Sequence, residues 1–239
     1  MRPDELWVEL AVPASLDEGA LAACTATLSE EERARAGRIR VAEARRGFVV
    51  AHALLRASLS RAVPLAPAAF RFQEGERGKP ELAGPREAAG LRFSLSHTDG
   101  LVACALARDV AVGIDVERGA RVRDPLALAE RFFAPAETAA LRGLGAAERR
   151  ARFLDAWVLK EALLKALGLG IAGALGAVIV AFDEALPRVA FEEGFGDDAE
   201  RWQIALLRPT AEHRLGLAVA RGARPDLALR VRFAEPRGL

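Results

Sequence analysis

The chain has 239 residues, enough to bury a core as one mid-sized domain or two small ones. Half of it is hydrophobic and 28% is charged, which excludes a disordered or fibrous protein. With 34 Lys and Arg against 33 Asp and Glu there is no basic excess, so nucleic acid is not an expected partner.

The opening "MRPDELWVEL" carries acids where a secretory leader needs basic and then apolar residues, and a cytoplasmic protein is expected. Its "ELWVELAVP" alternates as a first strand does. "LSEEERARAGRIR" sets a serine before acids with Glu three places on, the pattern of a capped helix start. "AEARRGFVVAHALLRASLSRAV" spaces Phe48, Ala51, Leu55 and Leu59 along one helical face, closed by Pro64. "FRFQEGERGKPEL" predicts a strand and a turn. Three short strands follow in "LRFSLSHTDGLVACALARDVAVGIDVE".

The second half repeats this order. "DPLALAERFFAPAETAALRGLG" is helical with a break at Pro135, and "AAERRARFLDAWVLKEALLKALGLG" predicts the longest helix, ending at Gly168 and Gly170. Strands are expected at "GAVIVAF", "RVAFEE", "WQIALLR", "HRLGLAVAR" and "LALRVRF". The apolar run from Ile171 falls short of the roughly 20 residues that span a bilayer, so no membrane association is expected. Cys24 and Cys104 form no C-x-x-C and give neither a disulfide framework nor a zinc site. "ALLRA" at Ala53–Ala57 is echoed by "ALLKA" at Ala162–Ala166, each after an acid-bearing helix start. The expected fold class is α+β: two similar subdomains related by pseudo-twofold symmetry, each a long helix on a small antiparallel sheet. The expected division is residues 1–112 and 113–239, with the active site at the junction.

The chemistry concentrates in two places. In "AVGIDVE", Asp115 and Glu117 are two apart on a strand and share a face, two like charges side by side. In "WVLKEALLKALGLG", Glu161 and Lys165 share a helix face, which alone would be an ordinary surface ion pair. A close pair of carboxylates with a third on a rigid helix is how a hard divalent cation is held, with phosphate oxygens completing its shell.

These residues resemble the Sfp-type 4′-phosphopantetheinyl transferases, whose signature is G-[IV]-D-x-E followed by W-x-x-K-E-[AS]-x-x-K-x-x-G-x-G. Gly113, Ile114, Asp115, Glu117, Trp157, Lys160, Glu161, Ala162, Lys165, Gly168 and Gly170 fill every fixed position. "GKP" at Gly78–Pro80, "SLSHT" at Ser94–Thr98 and "RFFAPAE" at Arg131–Glu137 are further points of likeness. Ser94 stands where the family often has Asn, and arginines around Arg35 replace an early pair of lysines.

The resemblance implies transfer of the phosphopantetheine arm of coenzyme A to a serine of an acyl carrier protein or peptidyl carrier domain, releasing adenosine 3′,5′-bisphosphate. It implies Mg2+, with Mn2+ as an alternative, held by Asp115, Glu117 and Glu161. Asp115, Glu161 and Lys165 would be catalytic, Lys165 adding positive charge at the diphosphate. Glu161, or a water on the ion, would accept the serine proton. Arg35, Arg46, Lys79, Ser96, His97, Lys160 and Lys165 would contact coenzyme A. Arg118, Arg121 and Arg123 would receive an acidic carrier or form a solvated basic loop. His52 and His213 are expected to be structural and Trp157 to lie in the core. A chain carrying both halves can build one site alone, so a monomer is expected. The rival readings are a catalytically silent coenzyme A or carrier-binding protein and a metal-dependent phosphohydrolase. Retention of all three carboxylates and Lys165 argues against the silent relative.

Overall fold

The computed structural model describes residues 1–75, 79–169, 174–183 and 186–239. The chain forms two compact units, residues 1–110 with 227–239, and residues 111–226.

In the first unit, β1 (Glu5–Ala11) leads to α1 (Glu18–Thr27), α2 (Glu30–Arg38) and the long α3 (Ala42–Ala62). The hairpin of β2 (Arg71–Glu74) and β3 (Pro80–Gly84) follows, then β4 (Leu91–Thr98) and β5 (Leu101–Arg108). The start of α2 is the capping box read from sequence: Ser29 Oγ accepts from the Glu32 N–H, and Glu32 Oε2 accepts from the Ser29 N–H. Phe48, Ala51, Leu55 and Leu59 of α3 are all buried, packing with Val102, Cys104 and Leu106 of β5. Helix α1 was not anticipated. Its "EGALAACTAT" has no clear apolar stripe, and its legible signal is Asp17, whose side chain accepts from the Ala20 N–H as an N-cap.

The second unit opens with β6 (Val112–Arg118), followed by α4 (Pro125–Phe132) and α5 (Pro135–Arg142), split at Pro135 as expected. The 22-residue α6 (Ala146–Leu167) ends at Gly168, whose φ of +70° is the left-handed turn that closes a helix. Gly170 lies outside the described residues. Strands β7 (Val178–Asp183) and β8 (Leu186–Phe191) form a hairpin, and β9 (Trp202–Leu207) and β10 (His213–Ala220) complete a sheet of order β6-β10-β9. Trp157 packs among Phe132, Phe133 and Phe153, the core role expected of it.

Each unit is therefore a long helix on a sheet. The expected division needs correcting at its end, because β11 (Ala228–Phe233) leaves the second unit and pairs in parallel with β1. Arg230 and Arg232 fasten it there, each Nε on a buried carboxylate of β1: Glu5 at 2.7 Å and Glu9 at 3.0 Å. Among the described residues the other strand pairings are antiparallel. No described helix is long and apolar enough to cross a membrane.

Candidate active site

Gly113, Asp115 and Glu117 stand in a row on one face of β6, the face that meets α6. The approach is close. A Cβ on Gly113 would lie 1.8 Å from the Ala162 carbonyl oxygen, and one on Gly216 would lie 2.2 Å from that of Val158. Gly216 stands opposite Asp115 in the β6–β10 register. The two glycines make a saddle on which the backbone of α6 rests directly, and any side chain at either place must lift the helix.

That seating brings the helix residues to the acids. Lys165 Nζ donates to Asp115 Oδ1 at 2.7 Å and to the Ile114 carbonyl at 3.1 Å. Asp115 and Glu161 are both buried. Burial pushes the Glu161 carboxyl up to about 7, and the charges of Asp115 and Glu117 push the same way while Lys165 opposes them. The two carboxylates of β6 thus act on that of Glu161, although it lies more than forty positions further along the chain.

The donor set suits a hard divalent cation: oxygen ligands, net negative charge, and a buried Glu161 Oε1 that no donor among the described residues reaches. It is not a ready-made cage. Among the described residues no three Asp, Glu, His or Cys side chains are grouped so as to hold an ion as they stand. The Lys165 ammonium sits on Asp115 Oδ1, so a cation entering here must take that oxygen from Lys165.

Lys160 departs from expectation. It is fully buried and spends its three donors on Glu137 Oε2 at 2.6 Å and the carbonyls of Leu175 and Val178 at 3.0 and 2.5 Å. A contact with coenzyme A, the part expected of it, would have to draw on donors that are all engaged here. Glu137, the last residue of "RFFAPAE", had no role assigned from sequence. Its Oε2 also accepts from the Ala134 N–H at the start of α5, and its Oε1 accepts from the Val180 N–H of β7. Glu137 and Lys160 together tie α5, α6 and β7.

The remaining candidates lie in the first unit. Arg35 is exposed, its guanidinium 5.6 Å from the centre of the Phe48 ring. Arg46 holds the Pro13 carbonyl at 2.9 Å, the Leu16 carbonyl and Glu18, fixing the approach to α1. It lines a cleft of about 540 Å³ with Arg33 and Arg45. Lys79 is half-buried at the foot of the β2–β3 hairpin, its carbonyl accepting from the Gly75 N–H at 2.8 Å; Gly78 lies outside the described residues. Ser96 and His97 both lie in β4, where alternation turns them to opposite faces, Ser96 buried and His97 exposed near Gly47. His52 pairs with Glu32 and His213 with Thr210. Arg118 pairs with Glu212 at 2.9 Å and Arg123 is exposed; the Arg121 side chain is outside what is described.

Two family models match. Residues 111–218 match the 4′-phosphopantetheinyl transferase superfamily, and residues 17–108 match the model described as 4′-phosphopantetheinyl transferase, N-terminal. The chain is 38% identical over 161 residues to the 4′-phosphopantetheinyl transferase HetI of Nostoc sp., covering 67% of this chain and 68% of that one. It is 29% identical over 227 residues to a phosphopantetheinyl transferase of Thraustochytrium sp., covering 90% and 78%. The 4′-phosphopantetheinyl transferase of Bacillus subtilis is 27% identical over 146 residues, 61% and 62% of the two chains. Among solved structures, the holo-acyl-carrier-protein synthase of Thermotoga maritima superposes with a TM-score of 0.40 at 28% identity, over 47% of this chain and 64% of that one, too partial a likeness to add to the assignment.

Proposed function

This chain belongs to the 4′-phosphopantetheinyl transferase superfamily, among its Sfp-type members, and from that membership we propose that it moves phosphopantetheine from coenzyme A to a serine of an acyl or peptidyl carrier protein. The observation that carries the reading is the acidic row of β6 held against Glu161 and Lys165 by the two-glycine saddle.

In the proposed step the serine oxygen attacks the phosphorus that bears the pantetheine arm. The diphosphate P–O bond breaks, and adenosine 3′,5′-bisphosphate leaves with the bonding electrons. Asp115, Glu117 and Glu161 would hold Mg2+, which when bound neutralises and orients the diphosphate. Lys165, released from Asp115, would bring its charge to the same phosphates. Glu161, or a water on the ion, would accept the serine proton. Arg35, Arg46, Lys79, Ser96 and His97 are proposed as coenzyme A contacts, with Ser96 and His97 acting from different faces of their strand. One site per chain, and hence a monomer, goes with this reading.

The test is to incubate the protein with coenzyme A, Mg2+ and a panel of apo carrier proteins and weigh the carriers by mass spectrometry. A gain of one phosphopantetheinyl group on the carrier serine supports the proposal. Carriers that all keep their mass refute it.

A further inference from the structure

Of the 34 basic residues in the chain only three are lysines: Lys79, Lys160 and Lys165. An arginine grips a carboxylate through a planar two-bond fork, whereas a lysine carries a compact charge on a flexible stem and changes partners readily. On α6 the two lysines put that compactness to different uses. Lys160 is fully buried among three acceptors. Lys165 keeps 31% of its side chain exposed, and it donates to Asp115 Oδ1 at 2.7 Å and to the Ile114 carbonyl at 3.1 Å. Asp115 itself is buried on β6. The acid is thus fixed in the sheet, and the ammonium that covers it reaches in from the solvent edge of the helix.

An ammonium and a divalent cation cannot share Asp115 Oδ1 at full strength, because two like charges a few ångströms apart repel. We propose that Lys165 is an exchangeable counter-ion: it stands on Asp115 as long as no cation competes for that carboxylate, and passes to the diphosphate of coenzyme A once one does. The inference rests on the metal and coenzyme A readings given above and adds a consequence to them. Without the cation, the charge of Lys165 is spent on Asp115 and does little for coenzyme A. With the cation, that charge is released to the diphosphate, which in turn offsets the lost pairing with Asp115. Each ligand therefore favours the other, and linkage makes the factor the same in both directions. A divalent cation and a diphosphate also attract each other directly. The part owed to Lys165 is the part that its removal takes away.

The test measures coenzyme A affinity by calorimetry with and without Mn2+, in the absence of any carrier, for wild type and Lys165→Met. Mn2+ is expected to tighten coenzyme A binding to wild type. Lys165→Met should leave the metal-free affinity within about twofold and lose about tenfold of the gain that Mn2+ brings, a usual scale for coupling between sites. A second measurement needs no variant. With only three lysines in the chain, trace acetylation read by mass spectrometry follows Lys165 on its own peptide. Its reactivity should rise when Mn2+ is added alone, as the ammonium leaves Asp115, and fall again when coenzyme A joins. Lys165→Met that weakens coenzyme A equally with and without Mn2+ would make Lys165 a fixed contact, and a Lys165 reactivity that Mn2+ does not move would show no release. Either result overturns the inference while the readings beneath it stand. Wild type that fails to bind Mn2+, by the free-ion electron paramagnetic resonance signal, overturns the metal reading and the inference with it; wild type that fails to bind coenzyme A does the same to the transferase reading.

Discussion

Replacing Glu161 with Gln isolates the electrostatic tension at the centre of the site. The Glu161 carboxyl is raised from 4.5 to about 7, by burial first and by Asp115 next. Below about pH 4.5 it is protonated whether the chain is folded or not, and it adds nothing to the pH dependence of stability. Between about 4.5 and 7 the unfolded chain gives up the proton while the folded one keeps it, so stability falls as pH rises. Above about 7 both are ionised and the full cost is present. At about 1.4 kcal/mol per pH unit the upper bound is about 3 kcal/mol. Lys165 beside it is 31% exposed, and the water admitted there lowers the figure to about 2 kcal/mol. Glu161→Gln carries no charge to strand, so it should exceed wild type by about that amount at pH 8 and by only a fraction of it at pH 5, in urea midpoints with unchanged slope. Equal differences at the two pH values would show that Glu161 is not held protonated by its neighbours, and the account of the acidic row would fail.

Three further outcomes follow from the same geometry. Gly216→Ala puts a Cβ 2.2 Å from the Val158 carbonyl oxygen, so α6 must lift; a loss of about 1–3 kcal/mol is expected in denaturation, together with lost transferase activity. Lys160→Met strands the buried Glu137 and should cost about 3–5 kcal/mol, whereas a residue serving mainly as a coenzyme A contact would raise the KM for coenzyme A and leave the melting temperature unchanged. Asp115→Ala should abolish carrier modification by mass spectrometry while circular dichroism stays that of wild type, since it frees a half-exposed lysine rather than a buried charge; normal turnover would refute its part in the site.

The elements of both long helices, the capping box at Ser29 and the hairpins were legible because each depends on residues within a few positions of one another. That Glu161 lies within electrostatic reach of Asp115 and Glu117 was suggested by the pattern of the acids and by the resemblance, but local spacing could not fix it, since it does not say which strand lies under which helix. For the same reason Gly216 could not be singled out: a glycine in a strand becomes informative once Val158 is known to rest on it. Lys160 sits in the motif one position before Glu161, which rotates it about 100° around the helix, and it is fully buried. The return of β11 to β1 joins segments separated by the whole second unit, and only the complementary Glu5, Glu9, Arg230 and Arg232 hint at it.

The two units use one plan toward opposite ends. In each, the third-position glutamate of a short helix is clasped by a buried cation of the long helix: Glu32 by Arg56 at 2.8 Å, Glu137 by Lys160 at 2.6 Å. In each, a strand leading its unit carries acids, and the long helix presents a cation to one of them: Arg61 to Glu9, Lys165 to Asp115. The difference is how far the acids are satisfied. Glu9 has Arg61 and Arg232, and Glu5 has Arg2, Arg230 and the Trp7 indole, with the Arg2 N–H first among the groups that hold its carboxyl down to about 2. Glu161 meets burial and two like charges against one lysine, and stands near 7. An acid held low by its neighbours has no call on a cation, whereas one held high gains from any cation that arrives. That contrast, more than the count of carboxylates, is what favours residues 111–226 for the proposed cation.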